Sequence, residues 1–136
     1  MAVEIHGEYL GDLKVRMRHG PSGATLTTEA PVDNGGTGGS FSPTDLMATG
    51  LAACMMTIMG IVAKRDGIDI GGASVRVEKH MVSDPRRIGR LPVVFRLPRR
   101  LGPEERTKLE NAARGCPVHR SIHPEVDAPI IFEYEG

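Results

Sequence analysis

Residues 46–63 read LMATGLAACMMTIMGIVA. The stretch holds no charged side chain, and it reaches the roughly 18-residue length at which a helix can cross a bilayer. Its composition argues against a span. Thr49, Thr57, Gly50 and Gly60 interrupt it, Ala and Met dominate it, and no aromatic belt flanks it. A helix apolar on all sides belongs inside a protein. One small domain has trouble surrounding such a helix, so a dimer that packs two of them together fits the pattern. The start is written just upstream. Ser42 is suited to the N-cap, Pro43 to the first helical position, and Asp45 stands three residues after the cap. The helix is expected to run to about Arg65, with Gly67 as its stop. Cys54 lies near its middle.

Working outward, the chain has 136 residues, which predicts a single domain over 1–136. That is enough to bury a core without disulfide staples. With 40% hydrophobic and 25% charged residues the composition is that of a soluble globular protein. The 17 basic and 17 acidic side chains cancel, so bulk charge favours neither nucleic acid nor an anionic membrane. Two Tyr, three Phe and no Trp leave little for base stacking. Locally, Arg86, Arg87, Arg90, Arg96, Arg99 and Arg100 crowd one stretch with only Asp84 nearby; this reads as a solvated hairpin or an anion- or partner-binding surface. MAVEIHGEYL at the N-terminus lacks a basic region followed by an apolar run, so no signal peptide is expected. Two cysteines without a signal point to reduced thiols in a cytoplasmic protein.

Residues 5–18 read as one extended strand, since Leu13, Val15 and Met17 alternate with Lys14, Arg16 and Arg18. HGPSG is turn chemistry and ATLTTEA a return strand. PVDNGGTGGSF, with four glycines, is a flexible loop. Beyond the long helix, residues 73–82 alternate as a strand, SDPRRIGR reads as a turn, and LPVVFRLP as a short strand. Pro103 opens a second helix that Gly115 ends, and Cys116-Pro117 begins a short third helix ending by Pro124. VDAPIIFEYE is the last strand, and Pro129 marks it, or that part of it, as an edge. The order is ββ-α-ββ-αα-β, an α+β fold with a largely antiparallel sheet.

The two cysteines carry the chemistry. A cysteine at the N-cap before a helix meets free N–H groups and the positive end of the dipole, so the Cys116 thiol is expected to be acidified. Cys54, mid-helix among Ala, Met and Leu, is expected to have its thiol pKa raised by desolvation. Each is also readable as a small buried hydrophobe. A zinc reading competes: Cys116, His119 and His123 have the spacing C-x2-H-x3-H, and Cys54 supplies a fourth ligand. Helical geometry weakens it, because His119 is turned about 300° from Cys116. His123 before Pro124 also reads as a cap of the short helix. The Gly35–Gly39 loop precedes a helix but lacks the Gly-Lys-Ser/Thr ending of a phosphate loop, and there is no G-x-S-x-G elbow.

Two stretches together resemble a known family. Ser42-Pro43-Thr44-Asp45-Leu46, followed by the Ala/Gly-rich run to Ala52-Ala53-Cys54, resembles the first cysteine motif of the OsmC/Ohr proteins, the osmotically inducible and organic-hydroperoxide-resistance family. Gly115-Cys116-Pro117-Val118-His119 resembles the second. The likeness covers essentially the whole chain. It implies an OsmC-like fold in which sheets wrap long central helices in an intertwined homodimer, with the sites at the dimer interface. It implies a thiol peroxidase: Cys54 attacks the peroxide and becomes a sulfenic acid, Cys116 resolves it as a disulfide, and a dithiol, lipoyl-type in one branch, reduces it again. No cofactor or metal is implied. In the hydroperoxidase branch an arginine of the first hairpin, held by a glutamate before the long helix, activates the attacking thiol. Arg16 and Arg18 lie on the matching strand, with Arg18 favoured, and Thr44 stands at the glutamate position with Asp45 beside it. Asp45 would point about 100° around the helix from that position. Met47, Met55, Met56 and Met59 are candidates to line an apolar approach for a bulky peroxide. Thr44 also leaves room for an alternative, a non-enzymatic protein of this fold that binds a small apolar or thiol-bearing ligand in the dimer cleft.

Overall fold

A computed structural model describes residues 1–136. The chain forms two compact units, Met1–Leu46 and Met47–Gly136, and their boundary falls in the first turn of the long helix.

The first unit is a three-stranded antiparallel meander of β1 (Ile5–Gly11), β2 (Lys14–His19) and β3 (Thr25–Glu29), in that order. The stretch 5–18 is therefore a hairpin and not one strand. Gly11, Asp12 and Leu13 all take positive φ (89°, 53° and 62°), which reverses the chain in two residues. Asp12 tolerates that conformation; Leu13 does not advertise it, and its place in the alternation with Val15 and Met17 disguises the turn. Cross-strand register puts Lys14, Arg16, Arg18, Glu8 and Glu29 on one face and Tyr9, Val15, Met17 and Leu26 on the other. On the apolar face Tyr9 and Leu26 are exposed.

The glycine-rich loop is folded around Glu29. Its carboxylate accepts hydrogen bonds from the backbone N–H and the hydroxyl of Thr37 and from the Gly38 N–H, which hold it below its ordinary range although burial opposes this. A Cβ on Gly36 would stand 1.5 Å from the Ala30 carbonyl oxygen, so the loop can close down only with glycine there.

The helix α1 (Pro43–Asp66) has the predicted bounds. It opens on a reciprocal cap: Ser42 Oγ accepts the Asp45 N–H at 3.1 Å, and Asp45 Oδ2 accepts the Ser42 N–H at 2.9 Å. It closes on Gly67 at φ 67°, with the Ile68 N–H donating to the Ala63 carbonyl at 2.8 Å. Both Ala63 and Ile68 are buried, the apolar contact that accompanies this closure. Lys64 and Arg65 in the last turn oppose the negative end of the helix.

In the second unit β4 (Ser74–Val77) pairs antiparallel with β7 (Val93–Pro98), and β8 (Ile130–Glu135) pairs parallel with the other side of β7. The order β4-β7-β8 leaves β8 at an edge, where Pro129 allows it. The hairpin of β5 (His80–Val82) and β6 (Arg87–Arg90) stands apart as a two-stranded sheet. Residues 73–82 are thus two strands, and the arginine-rich segment expected as a turn contributes β6. It pairs with β5 across a four-residue turn, and no alternation in Arg87–Arg90 announces it.

Val75, Val77, Val93, Phe95, Leu97, Ile130, Phe132 and Tyr134 share one face of the sheet. With Leu51, Met55 and Met59 of α1, and Leu109 and Ala113 of α2 (Pro103–Arg114), they form the core. Phe95 stacks on Phe132 with ring centroids 5.5 Å apart. Tyr134 donates to Glu110 at 2.5 Å beneath the Arg106 guanidinium, which ties α2 to β8. The mean hydropathy of 2.0 in the α1 window would suit a membrane span, yet its most buried side chains are committed to this protein core. The α+β class and the mostly antiparallel pairing are as expected from sequence.

Candidate active site

The fold brings the two cysteines together. Cys54 sits mid-α1, half-buried and packed against the core. Cys116 is fully buried at the N-cap of α3 (Pro117–Ser121). The tight exit from α2 places it there: the Gly115 N–H donates to the Ala112 carbonyl at 3.1 Å, and the Cys116 N–H to that of Ala113 at 3.3 Å. Pro117 then starts α3 with no N–H to satisfy. The Cys116 sulfur accepts the His119 N–H at 3.4 Å. Both thiols are free, and Cys54 is near enough to Cys116 to bear on its ionisation.

The charge balance at Cys116 reverses the expectation of an acidified thiol. Burial pushes its pKa up, and the neighbouring Cys54 adds to this; the N–H groups of His119 and Val118 pull the other way and lose. The physical reason is length. A five-residue helix carries little aligned dipole, so desolvation wins. Cys116 is held as a neutral thiol inside the protein, and Cys54 is the sulfur with the greater exposure.

Thr44 and Asp45 belong to the helix start. The Asp45 carboxylate accepts the Ser42 N–H, and Thr44 Oγ1 lies 3.2 Å from Ser42 Oγ. Arg18 is exposed on the charged face of the first sheet, opposite His6 and Thr25. Arg16 on the same face is paired with Glu8 at 2.7 Å, which distinguishes the two arginines of that strand. Of the methionines, Met55 and Met59 are fully buried packing residues, whereas Met47 is half exposed and Met56 partly buried.

The zinc reading is corrected. No group of three or more His, Cys, Asp or Glu side chains is placed to hold a metal ion. His119 offers Cys116 its backbone N–H, not its ring, and His123 Nδ1 accepts the Glu125 N–H at 3.0 Å. The arginine-rich stretch is also partnered within the chain: Arg87 pairs with Glu125 (3.3 Å), Arg90 with Asp127 (3.4 Å), Arg96 with Glu135 (3.1 Å) and Arg100 with Asp69 (3.2 Å). These acids lie far from it in sequence, so the stretch looked more basic than it is. The buried Glu29 was missed, because a glutamate ending a strand carries no signal that a loop will fold over it.

Comparison with known proteins agrees with this arrangement. The profile of the OsmC-like protein family matches residues 36–130. A crystal structure from Psychrobacter arcticus, of a protein named for osmotic stress induction and a detoxification response, is 40% identical; the alignment covers 97% of this chain and 96% of that one, with a TM-score of 0.91. The organic hydroperoxide resistance protein OsmC of Legionella pneumophila shares the fold at 23% identity, over 98% and 97% of the two chains, with a TM-score of 0.70. The organic hydroperoxide resistance protein OhrB of Bacillus subtilis shares it at 21% identity, over 98% of each, with a TM-score of 0.69. No curated protein matches the chain. With two cysteine motifs meeting in one core and a family profile covering most of its length, the chain belongs to the OsmC-like family.

Proposed function

We propose that this protein is a thiol peroxidase that reduces organic hydroperoxides. The observation that carries the reading is the pair of free thiols, one partly buried on α1 and one fully buried near it at the N-cap of α3. Such a pair suits a two-step cycle. The Cys54 thiolate attacks the terminal oxygen of ROOH, the O–O bond breaks, and the alkoxide leaves as ROH once protonated. The Cys54 sulfenic acid then meets the Cys116 thiol; the S–S bond forms, and the hydroxyl departs with the thiol proton as water. A dithiol donates two electrons by exchange to restore both thiols. No metal or cofactor takes part in this cycle.

Arg18 is the candidate cation for the Cys54 thiolate, and Thr44 and Asp45 serve by fixing the start of the helix that carries it. The protein acts as a cytoplasmic homodimer in this reading. The unpartnered apolar surfaces support a second copy: Met47 (50% exposed) and Ile61 (57%) on α1, and Tyr9 (67%) and Leu26 (46%) on the first sheet. The relatives named for hydroperoxide resistance share the fold and suggest the substrate class.

The test is the second-order rate of disulfide formation with cumene hydroperoxide and with hydrogen peroxide, for wild type and Cys54→Ser. A fast reaction selective for the organic peroxide and abolished by Cys54→Ser is expected. Oxidation no faster than that of free cysteine would reject the enzyme and leave a ligand-binding protein of this fold.

A further inference from the structure

The helix that delivers Cys116 is held to the sheet chiefly by polar groups. Only Leu109 and Ala113 of α2 are fully buried, so apolar packing fixes it at few points. Arg106, Glu110 and Arg114 are spaced by four and share one face of α2. They meet Phe132 and Tyr134, which share one face of β8. The Arg106 guanidinium lies 4.0 Å from the Tyr134 ring centroid, and its Nε and Nη2 donate to the Leu101 and Arg99 carbonyls at 2.8 Å each. Tyr134 donates its O–H to Glu110 Oε2 at 2.5 Å. Arg114 lies 5.5 Å from the Phe132 centroid and 3.9 Å from Glu110. Burial and the Glu110 carboxylate push the Tyr134 pKa well above its ordinary range, so this clasp keeps its donor at neutral pH.

The stripe ends two residues before Cys116. The Cys116 N–H donates to the Ala113 carbonyl at 3.3 Å, and the Cys116 carbonyl accepts the Arg120 N–H at 3.2 Å. The Cys116 backbone is thus tied to the last turn of α2 and to α3, and its side chain is 0% exposed. Where the end of α2 is set, Cys116 follows. Resting on the peroxidase reading, we propose that Tyr134 and Glu110 are positioning residues for the resolving step: their hydrogen bond fixes the end of α2 and so holds the Cys116 thiol where it closes on the Cys54 sulfenic acid. In that step the S–S bond forms, and the sulfenic hydroxyl leaves with the Cys116 proton as water. Placement carries large rate factors, since a shift of about 1 Å in a reacting group can cost about 100-fold.

The experiment reads the two steps apart. Tyr134→Phe keeps the ring and its contact with Arg106 and removes only the hydroxyl. Glu110→Gln keeps an acceptor, and Glu110→Ala removes it. Sulfenic acid formation is timed with a dimedone-type probe in a Cys116→Ser background, where resolution is absent, and should be equal with and without Tyr134→Phe. With Cys116 present, the probe competes with resolution after one equivalent of cumene hydroperoxide. Resolution is expected to be about three- to tenfold slower in Tyr134→Phe and in Glu110→Ala, and near wild type in Glu110→Gln. The double variant Tyr134→Phe/Glu110→Ala should be no slower than either single one, since both remove the same bond. In a glutathione redox buffer the Cys54–Cys116 couple should become easier to reduce by the same factor, a rise of about 15–30 mV. A clasp that served stability alone would lower Tm and leave the potential unmoved, because it would support the reduced and oxidised forms equally. Unchanged resolution and potential in Tyr134→Phe, faster resolution, or an equal slowing of both steps would overturn the proposal. So would a wild-type protein that forms no Cys54–Cys116 disulfide in the glutathione buffer. If peroxide oxidises wild type no faster than free cysteine, the peroxidase reading fails instead, and the potentials still decide whether the clasp places Cys116.

Discussion

Asp45 offers the sharpest division between scaffold and chemistry, because sequence likeness placed it among the site residues and the geometry gives it a structural task. Its carboxylate accepts the Ser42 N–H at 2.9 Å while Ser42 Oγ accepts the Asp45 N–H at 3.1 Å, and Ser42 is only 1% exposed. Asp45→Ala removes one half of this cap, worth about 0.5–2 kcal/mol, and a first-turn carboxylate worth about 0.3–1 kcal/mol against the helix dipole. A total loss of about 1–3 kcal/mol is expected. The unfolding entropy near the melting point is about 2.1 cal/mol/K per residue, or about 0.29 kcal/mol/K for 136 residues, so Tm should fall by about 3–10 °C. Asp45→Asn keeps an acceptor and loses the charge, so its fall should be the smaller of the two. Thermal melts at 222 nm give the stability, and stopped-flow oxidation of Cys54 at 25 °C, well below the transition, gives the chemistry. The oxidation rate should stay within about twofold of wild type, since a carboxylate engaged at the cap adds little to the barrier. A tenfold slower oxidation in a variant that melts like wild type would refute the reasoning and return Asp45 to the reacting centre.

Three further outcomes follow from the packing and the charges. Phe95→Ala, at a fully buried ring stacked on Phe132, should cost about 3–5 kcal/mol in equilibrium denaturation, a large share of the about 5–15 kcal/mol that holds an ordinary domain folded. Gly36→Ala would set a Cβ 1.5 Å from the Ala30 carbonyl oxygen; the loop must open, at about 1–3 kcal/mol or more, and limited proteolysis should show faster cleavage in residues 35–39. Asp66 is held down to about 2 from 3.8, chiefly by its hydrogen bond to Arg65 and then by Lys108. A depressed carboxyl contributes stability that is present above its unfolded value and lost as pH falls through the folded one. Wild type should therefore lose stability between about pH 4 and pH 2 more steeply than Asp66→Asn, and parallel acid-unfolding curves would contradict the assignment.

Much of this protein could be read from local sequence. Ser42, Pro43, Asp45 and Gly67 bracket α1 because caps and terminators act over three or four residues and leave their signatures in order. The same local logic located both later helices and the Cys116 N-cap. Pro129 marked an edge strand because a missing N–H is a local fact with a topological consequence. Where local signals gave out, the reading failed: Leu13 at positive φ hid the first hairpin, and the pairing of β6 with β5 was invisible in Arg87–Arg90.

What the sequence alone determined was the inventory: one apolar helix too rich in Thr and Gly for a span, two thiols, and a helix start for each of the elements that carry them. What only the tertiary structure decided was the state of those groups. It put Cys116 in the dry interior and Cys54 at its margin, which reversed the acidity expected of a helix N-cap. It supplied distant acids to the arginine stretch and a cradle to Glu29. The physical reason is common to all three cases. Desolvation and ion pairing depend on what surrounds a group in space, and residues that meet there are far apart in the chain.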